Sequence, residues 1–178
     1  MALLSRYETS WGATLAIYES ARLAMARGDY AFARARFARS LPLFEQLGDP
    51  HRIIMIHSEL AHLDRYQGHY PEAEAAYRKT IQGWQRLGHR AAIAHQLESF
   101  AFAAQAQQHP ERAAHLFAAA GALRENIGSP MNPDELVEYE RELADLRASL
   151  DVAILAVCWA EGRAMSLEQA VAYAVGEG

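Results

Sequence analysis

Apolar residues recur along this chain with a helical period and are interrupted at regular intervals by short polar turns. Three segments align without gaps: GDYAFARARFARSLPLFEQLGD from Gly28, GHYPEAEAAYRKTIQGWQRLGH from Gly68 and QHPERAAHLFAAAGALRENIGS from Gln108. The offset is 40 residues both times. Ala33, Ala73 and Ala113 share a phase, as do Phe37, Tyr77 and Phe117. On a helix the small residue and the aromatic four later lie on one face. Each unit therefore predicts two helices. First helices are expected near 10–27, 51–67 and 91–107, and second helices near 30–47, 70–87 and 110–126. Gly28 and Gly68 fall between paired helices, where a left-handed residue ends a helix at little steric cost. Pro71 and Pro110 fit a first helical turn. Pro42 falls inside a predicted helix and is expected to kink it. A single hairpin has too little core to stand alone, so the units must stack.

The expected fold is all-α: a right-handed superhelix of stacked antiparallel hairpins, with units at 10–49, 50–89 and 90–129. Residues 1–8 are in phase with the end of a preceding unit. An array opening on half a hairpin predicts a piece of something longer. After Gly128 the repeat stops, and residues 130–178 predict C-terminal capping helices. Asn132 is the expected N-cap of one helix, with Pro133 at its first position. A second is expected over about 152–161, ended by Gly162. Ser166 and Gln169 form a capping-box signature for the last.

Composition narrows the function. Of 178 residues, 51% are hydrophobic, which excludes disorder as the main state. Asp and Glu number 22 against 17 Lys and Arg, a formal net charge of −5. That balance argues against direct nucleic-acid binding, and the Arg34, Arg36 and Arg39 cluster reads as a solvated helix face. No apolar run is long enough for a transmembrane helix. The single cysteine, Cys158, excludes an internal disulfide and fits a reducing cytoplasm.

Catalytic signatures are missing. There is no phosphate-cradling G-x-x-x-x-G-K-[ST] loop, G-x-S-x-G elbow or H-E-x-x-H pair. Glu59 and His62 form half of a di-iron carboxylate pattern whose second half is absent. His57 is therefore expected to pack inside and His62 to face a groove. His95 and Glu98, three apart, suggest a local polar pair. No catalytic residue, metal or cofactor is expected, so the chain reads as a non-enzyme.

The repeat resembles the tetratricopeptide repeat. Its small and aromatic positions are carried by Gly28, Tyr30, Ala33, Phe37 and Ser40, by their equivalents 40 residues on, and by Ala21, Ala61 and Ala101 in the first helices. That family's unit is about 34 residues; a 40-residue unit suits the longer, MalT-like variety. The matching first-helix positions Ile17, His57 and Leu97 depart from the family's bulky Trp. The tail VCWAEGRAMSLEQAVAYA resembles the C-terminal ending of large bacterial regulators with a STAND-type NTPase, including transcriptional regulators of the LuxR family. The resemblance rests on Trp159, Gly162, Arg163, Ser166, Gln169 and their neighbours. It implies a signal-transducing sensor or scaffold region that binds a protein, peptide or inducer. The alternatives are a free-standing adaptor for complex assembly and a module that self-associates through its open N-terminal end.

In that family the first helix of each unit lines a concave wall. Transferred by phase, the wall comprises Tyr18, Arg22 and Met25, then Met55, Ser58, His62, Arg65 and Tyr66, then His95, Glu98, Phe102 and Gln105. Arg and aromatic side chains are the types that anchor protein contacts. The implied partner is a protein or peptide, with no nucleic acid and no membrane.

Overall fold

The computed structural model describes residues 10–176. Expectations for residues 1–8 lie outside that range. Among the described residues there are nine α-helices and no strand. The repeat contributes α1 (Trp11–Ala26), α2 (Tyr30–Leu47), α3 (Pro50–Tyr66), α4 (Tyr70–Arg86), α5 (Arg90–Ala106) and α6 (Pro110–Ile127). The C-terminal part adds α7 (Pro133–Ser149), α8 (Val152–Ala164) and α9 (Leu167–Val175). The helix starts carry their caps in the sequence. Asp29 Oδ1 accepts from Phe32 N–H at 3.1 Å, and Asp49 Oδ1 accepts from Arg52 N–H at 3.0 Å. Each carboxylate satisfies an amide that has no partner inside its helix. Pro42 does not end α2, which continues to Leu47.

The turn between paired helices repeats as well. Gly28 and Gly68 adopt φ of 78° and 81°, and the third unit places Gln108 in the same left-handed region at 64°. An L-residue with a Cβ is disfavoured there, so Gln108 holds a conformation that the other two units give to glycine.

The chain divides into two compact units, at Ala76 and Tyr77. In the first, α1 packs on α2 and α2 on α3. Tyr18, Ala21, Ala33, Phe37, Phe44, Ile56 and Leu63 form its fully buried core. The Tyr18 and Phe37 rings meet at 5.7 Å. In the second, α5 packs on α6, α6 on α8, and α9 on both α5 and α6. Tyr77 meets Phe100 edge-on at 5.5 Å, and Phe102 meets Phe117 at 5.2 Å. The phased positions behave alike in every repeat: Ala33, Ala73 and Ala113 are fully buried, as are Phe37, Tyr77 and Phe117. The small residue lets the partner helix approach, and the aromatic fills the space beside it.

Of the two terminal expectations, Asn132 at the N-cap holds in position and Gly162 as a helix end needs correction. Asn132 occupies the N-cap position of α7 but makes no side-chain cap bond; its Nδ2 donates to Glu135 Oε1 at 3.2 Å instead. Gly162 does not end α8, which runs to Ala164. It is buried where α8 crosses α6, and a Cβ there would stand 2.3 Å from the His115 carbonyl oxygen. The glycine is required by helix–helix contact, not by a turn. The capping box of α9 is present in both directions, from Ser166 N–H to Gln169 Oε1 at 2.8 Å and from Gln169 N–H to Ser166 Oγ at 3.2 Å.

Candidate functional site

In the first unit the expected wall residues separate by depth. Tyr18 is fully buried. Its hydroxyl donates to Glu59 Oε1 at 3.1 Å, and Arg22 reaches the same oxygen at 3.4 Å. Burial, reinforced by the Glu59 charge, pushes the Tyr18 phenol well above the usual tyrosine range. The Arg52 guanidinium lies over the Tyr18 ring, 5.3 Å from its centre. Arg22 itself is half exposed and also pairs with Glu19 at 3.7 Å. Sequence reasoning missed Glu59 as the group joining Tyr18 to Arg22. Its signal was present, because Glu19 and Glu59 share the 40-residue phase.

Ser58 and His62 are buried, at 8% and 7% exposure. The expected roles of His57 and His62 are reversed: His57 is exposed and His62 is inside. On α3 the buried stripe runs through Ile56, Ala61 and Leu63, and His62 is drawn in beside it.

The end of α3 presents the accessible part of this set. Tyr66 is 40% exposed and stacks on Tyr30 of α2, with ring centres 5.7 Å apart and planes within 7°. The Arg65 guanidinium lies 4.4 Å from the Tyr66 ring centre. Alongside, Arg34 bonds Asp64 and donates to Gln67 Oε1 at 3.2 Å. Arg34 was expected to be a solvated face residue; here it ties α2 to α3. Arg36 covers the exposed Phe32 ring at 4.8 Å.

In the second unit the wall residues of α5 meet other helices of the same unit. Gln105 Nε2 donates to the Glu142 carbonyl of α7 at 2.9 Å. His95 Nε2 lies 3.6 Å from Glu135 of α7. Phe102 packs edge-on against Phe117, which in turn meets Tyr139 of α7 at 5.4 Å. Glu98, only 2% exposed, accepts two bonds from Arg124, from Nε at 2.6 Å and from Nη2 at 2.8 Å. Burial works against the Arg124 charge, but the Glu98 bonds outweigh it and raise the guanidinium's pKa. This face of α5 is therefore a seat for α7, and Glu98 is a buried anchor within it. The pairing lay beyond sequence reasoning, because Glu98 and Arg124 are brought together only when α5 packs on α6.

The tail residues also have structural roles. Arg163 makes a bidentate pair with Glu125 of α6, at 2.9 and 2.7 Å. Ala170, Val171 and Ala174 are buried. Arg112 donates to the carbonyls of Tyr173 and Ala174 at the end of α9, at 3.1 and 2.6 Å. Cys158 is buried, and desolvation together with the nearby Glu111 and Glu161 charges pushes its thiol up. A raised pKa disfavours the nucleophilic thiolate.

Among the described residues, no three His, Cys, Asp or Glu side chains gather as metal ligands. None of the described helices is long and apolar enough to cross a membrane. No curated protein matches the chain. Residues 13–86 match the family model of the tetratricopeptide repeat.

Proposed function

We propose that the chain is a non-catalytic binding module, the sensor or scaffold part of a bacterial signalling or transcriptional regulator, which holds a protein or peptide on its repeat helices. Repeats of this family generally mediate protein–protein contact. The observation that carries the reading is the surface at the end of α3. There the exposed Tyr66, its Tyr30 stack and the Arg65 guanidinium lie together. Rigid aromatic and arginine groups of this type supply most of the energy in protein contacts. The half-exposed Arg22 adds a cation on the first-helix face of α1. The regulator context is supported by the C-terminal tail motif.

The test is site-specific photo-crosslinking in the native host. A photoreactive residue at Tyr66 should capture a discrete protein, and one at the exposed Ala38 of α2 should not. Tyr66→Ala should abolish co-purification of that protein while leaving the helical circular dichroism intact. Equal capture from both positions would refute the assignment of the surface. An in-frame nucleotide-binding domain upstream in the parent gene would support the regulator context, and a stop codon directly upstream would refute it.

A further inference from the structure

We propose that the groove between α7 and α8 binds an apolar monocarboxylate, a molecule with a hydrocarbon or aryl body and one anionic head group. The site is separate from the Tyr66 surface and does not depend on it. Residues 152–160 of α8 read VAILAVCWA, nine apolar residues in succession. A helix apolar on every side is normally buried, yet of these nine only Cys158 is fully inside. Val152 is 81% exposed.

The α8 face bearing Val152, Leu155 and Trp159 combines with Leu143 and Leu146 of α7 to enclose a groove of about 540 Å³. That volume lies within the range of small-molecule sites, which are largely apolar with a few polar groups that fix orientation. The charged side chains lining it are Arg147 and Arg163, and no carboxylate lines it. Arg163 is neutralised by its bidentate pair with Glu125. Arg147 is exposed, and among the described residues no acidic side chain pairs with it. One unneutralised guanidinium beside an apolar trough matches one carboxylate on an apolar body, because the guanidinium fork and the carboxylate are geometrically complementary. The chain as a whole carries a formal charge of −5. General attraction for anions is therefore absent, and selectivity must come from this combination.

The experiment is an NMR titration of the isotope-labelled chain with sodium decanoate, and separately with decyltrimethylammonium, which has the same tail and the opposite charge. Decanoate should give saturable shifts confined to α7 and α8, and decyltrimethylammonium should bind at least about tenfold more weakly. Arg147→Glu should weaken decanoate by about tenfold or more, while Arg141→Glu on the same helix leaves it unchanged. Ala156→Trp should fill the groove and abolish the shifts without lowering the melting temperature. Absence of saturation, equal affinity for the two amphiphiles, shifts centred elsewhere or an unaffected Arg147→Glu variant would each overturn the proposal. So would sedimentation showing a dimer that Ala156→Trp dissociates, because a second copy would then occupy the groove.

Discussion

Gly162→Ala isolates the contact between α6 and α8, and the structure provides its control. Gly121 in α6 and Gly162 in α8 both lie inside helices of the second unit. In a helix interior Ala is better than Gly by about 1 kcal/mol. At Gly121 nothing lies within 4 Å of the added Cβ, so Gly121→Ala should gain that full amount. At Gly162 the Cβ would meet the His115 carbonyl oxygen at 2.3 Å and the Ala118 Cβ at 2.9 Å. Neither can rotate away, since one is backbone and the other is fixed to it. The helices must separate, at the upper part of the roughly 1–3 kcal/mol that overpacking costs. After subtracting the helix-propensity gain, Gly162→Ala should lose about 1–2 kcal/mol. For a chain of this size 1 kcal/mol moves the melting midpoint by about 2–4 °C. Thermal melts followed by circular dichroism should therefore shift in opposite directions for the same chemical change. Two stabilised variants, or two identical shifts, would refute the close approach of α8 to α6.

The remaining predictions concern single side chains. Gln108→Gly should stabilise by about 0.5–1 kcal/mol in urea unfolding, because relief of the left-handed strain exceeds the added unfolded-state freedom; a loss would refute strain at that turn. Glu98→Gln leaves Arg124, 12% exposed, without its bidentate partner, and should cost about 3 kcal/mol, the lower end for breaking a buried pair because Glu135 remains 4.0 Å away. A change below the error of the denaturation midpoint would show that the pair does not hold α5 to α6. Partial burial works to raise the Asp49 pKa, but the Arg52 amide, the Trp11 indole N–H and nearby positive charge outweigh it and hold the carboxyl below its ordinary value. A depressed folded pKa contributes stability that is present above about pH 4 and lost as pH falls through the folded value. Asp49→Asn, which keeps a capping oxygen, should therefore flatten the acid limb of stability against pH, and an unchanged limb would count against this charge.

Much of the scaffold is legible in order along the chain. Ala33, Phe37 and their phased equivalents are buried as the spacing implies, and the capping box of Ser166 and Gln169 is local enough to read directly. Those features depend on residues within a turn of one another, so helix geometry alone connects cause and outcome. The surface is less legible. Phase places Tyr18, His62 and Tyr66 on similar helix faces, yet the first two are buried and the third is exposed. Depth is set by what lies across from a side chain, and no period encodes that.

The sequence by itself determined the all-helical class, the 40-residue unit, the helix starts and the small-then-aromatic core, because each follows from contacts three or four residues apart. Only tertiary structure decided that Gly162 serves a crossing rather than a helix end. It alone brought Glu98 to Arg124 across 26 positions, and it left one apolar face of α8 open beside Arg147. Such pairings depend on how helices distant in sequence approach each other, and that approach is fixed by the summed packing of whole faces rather than by any local signal.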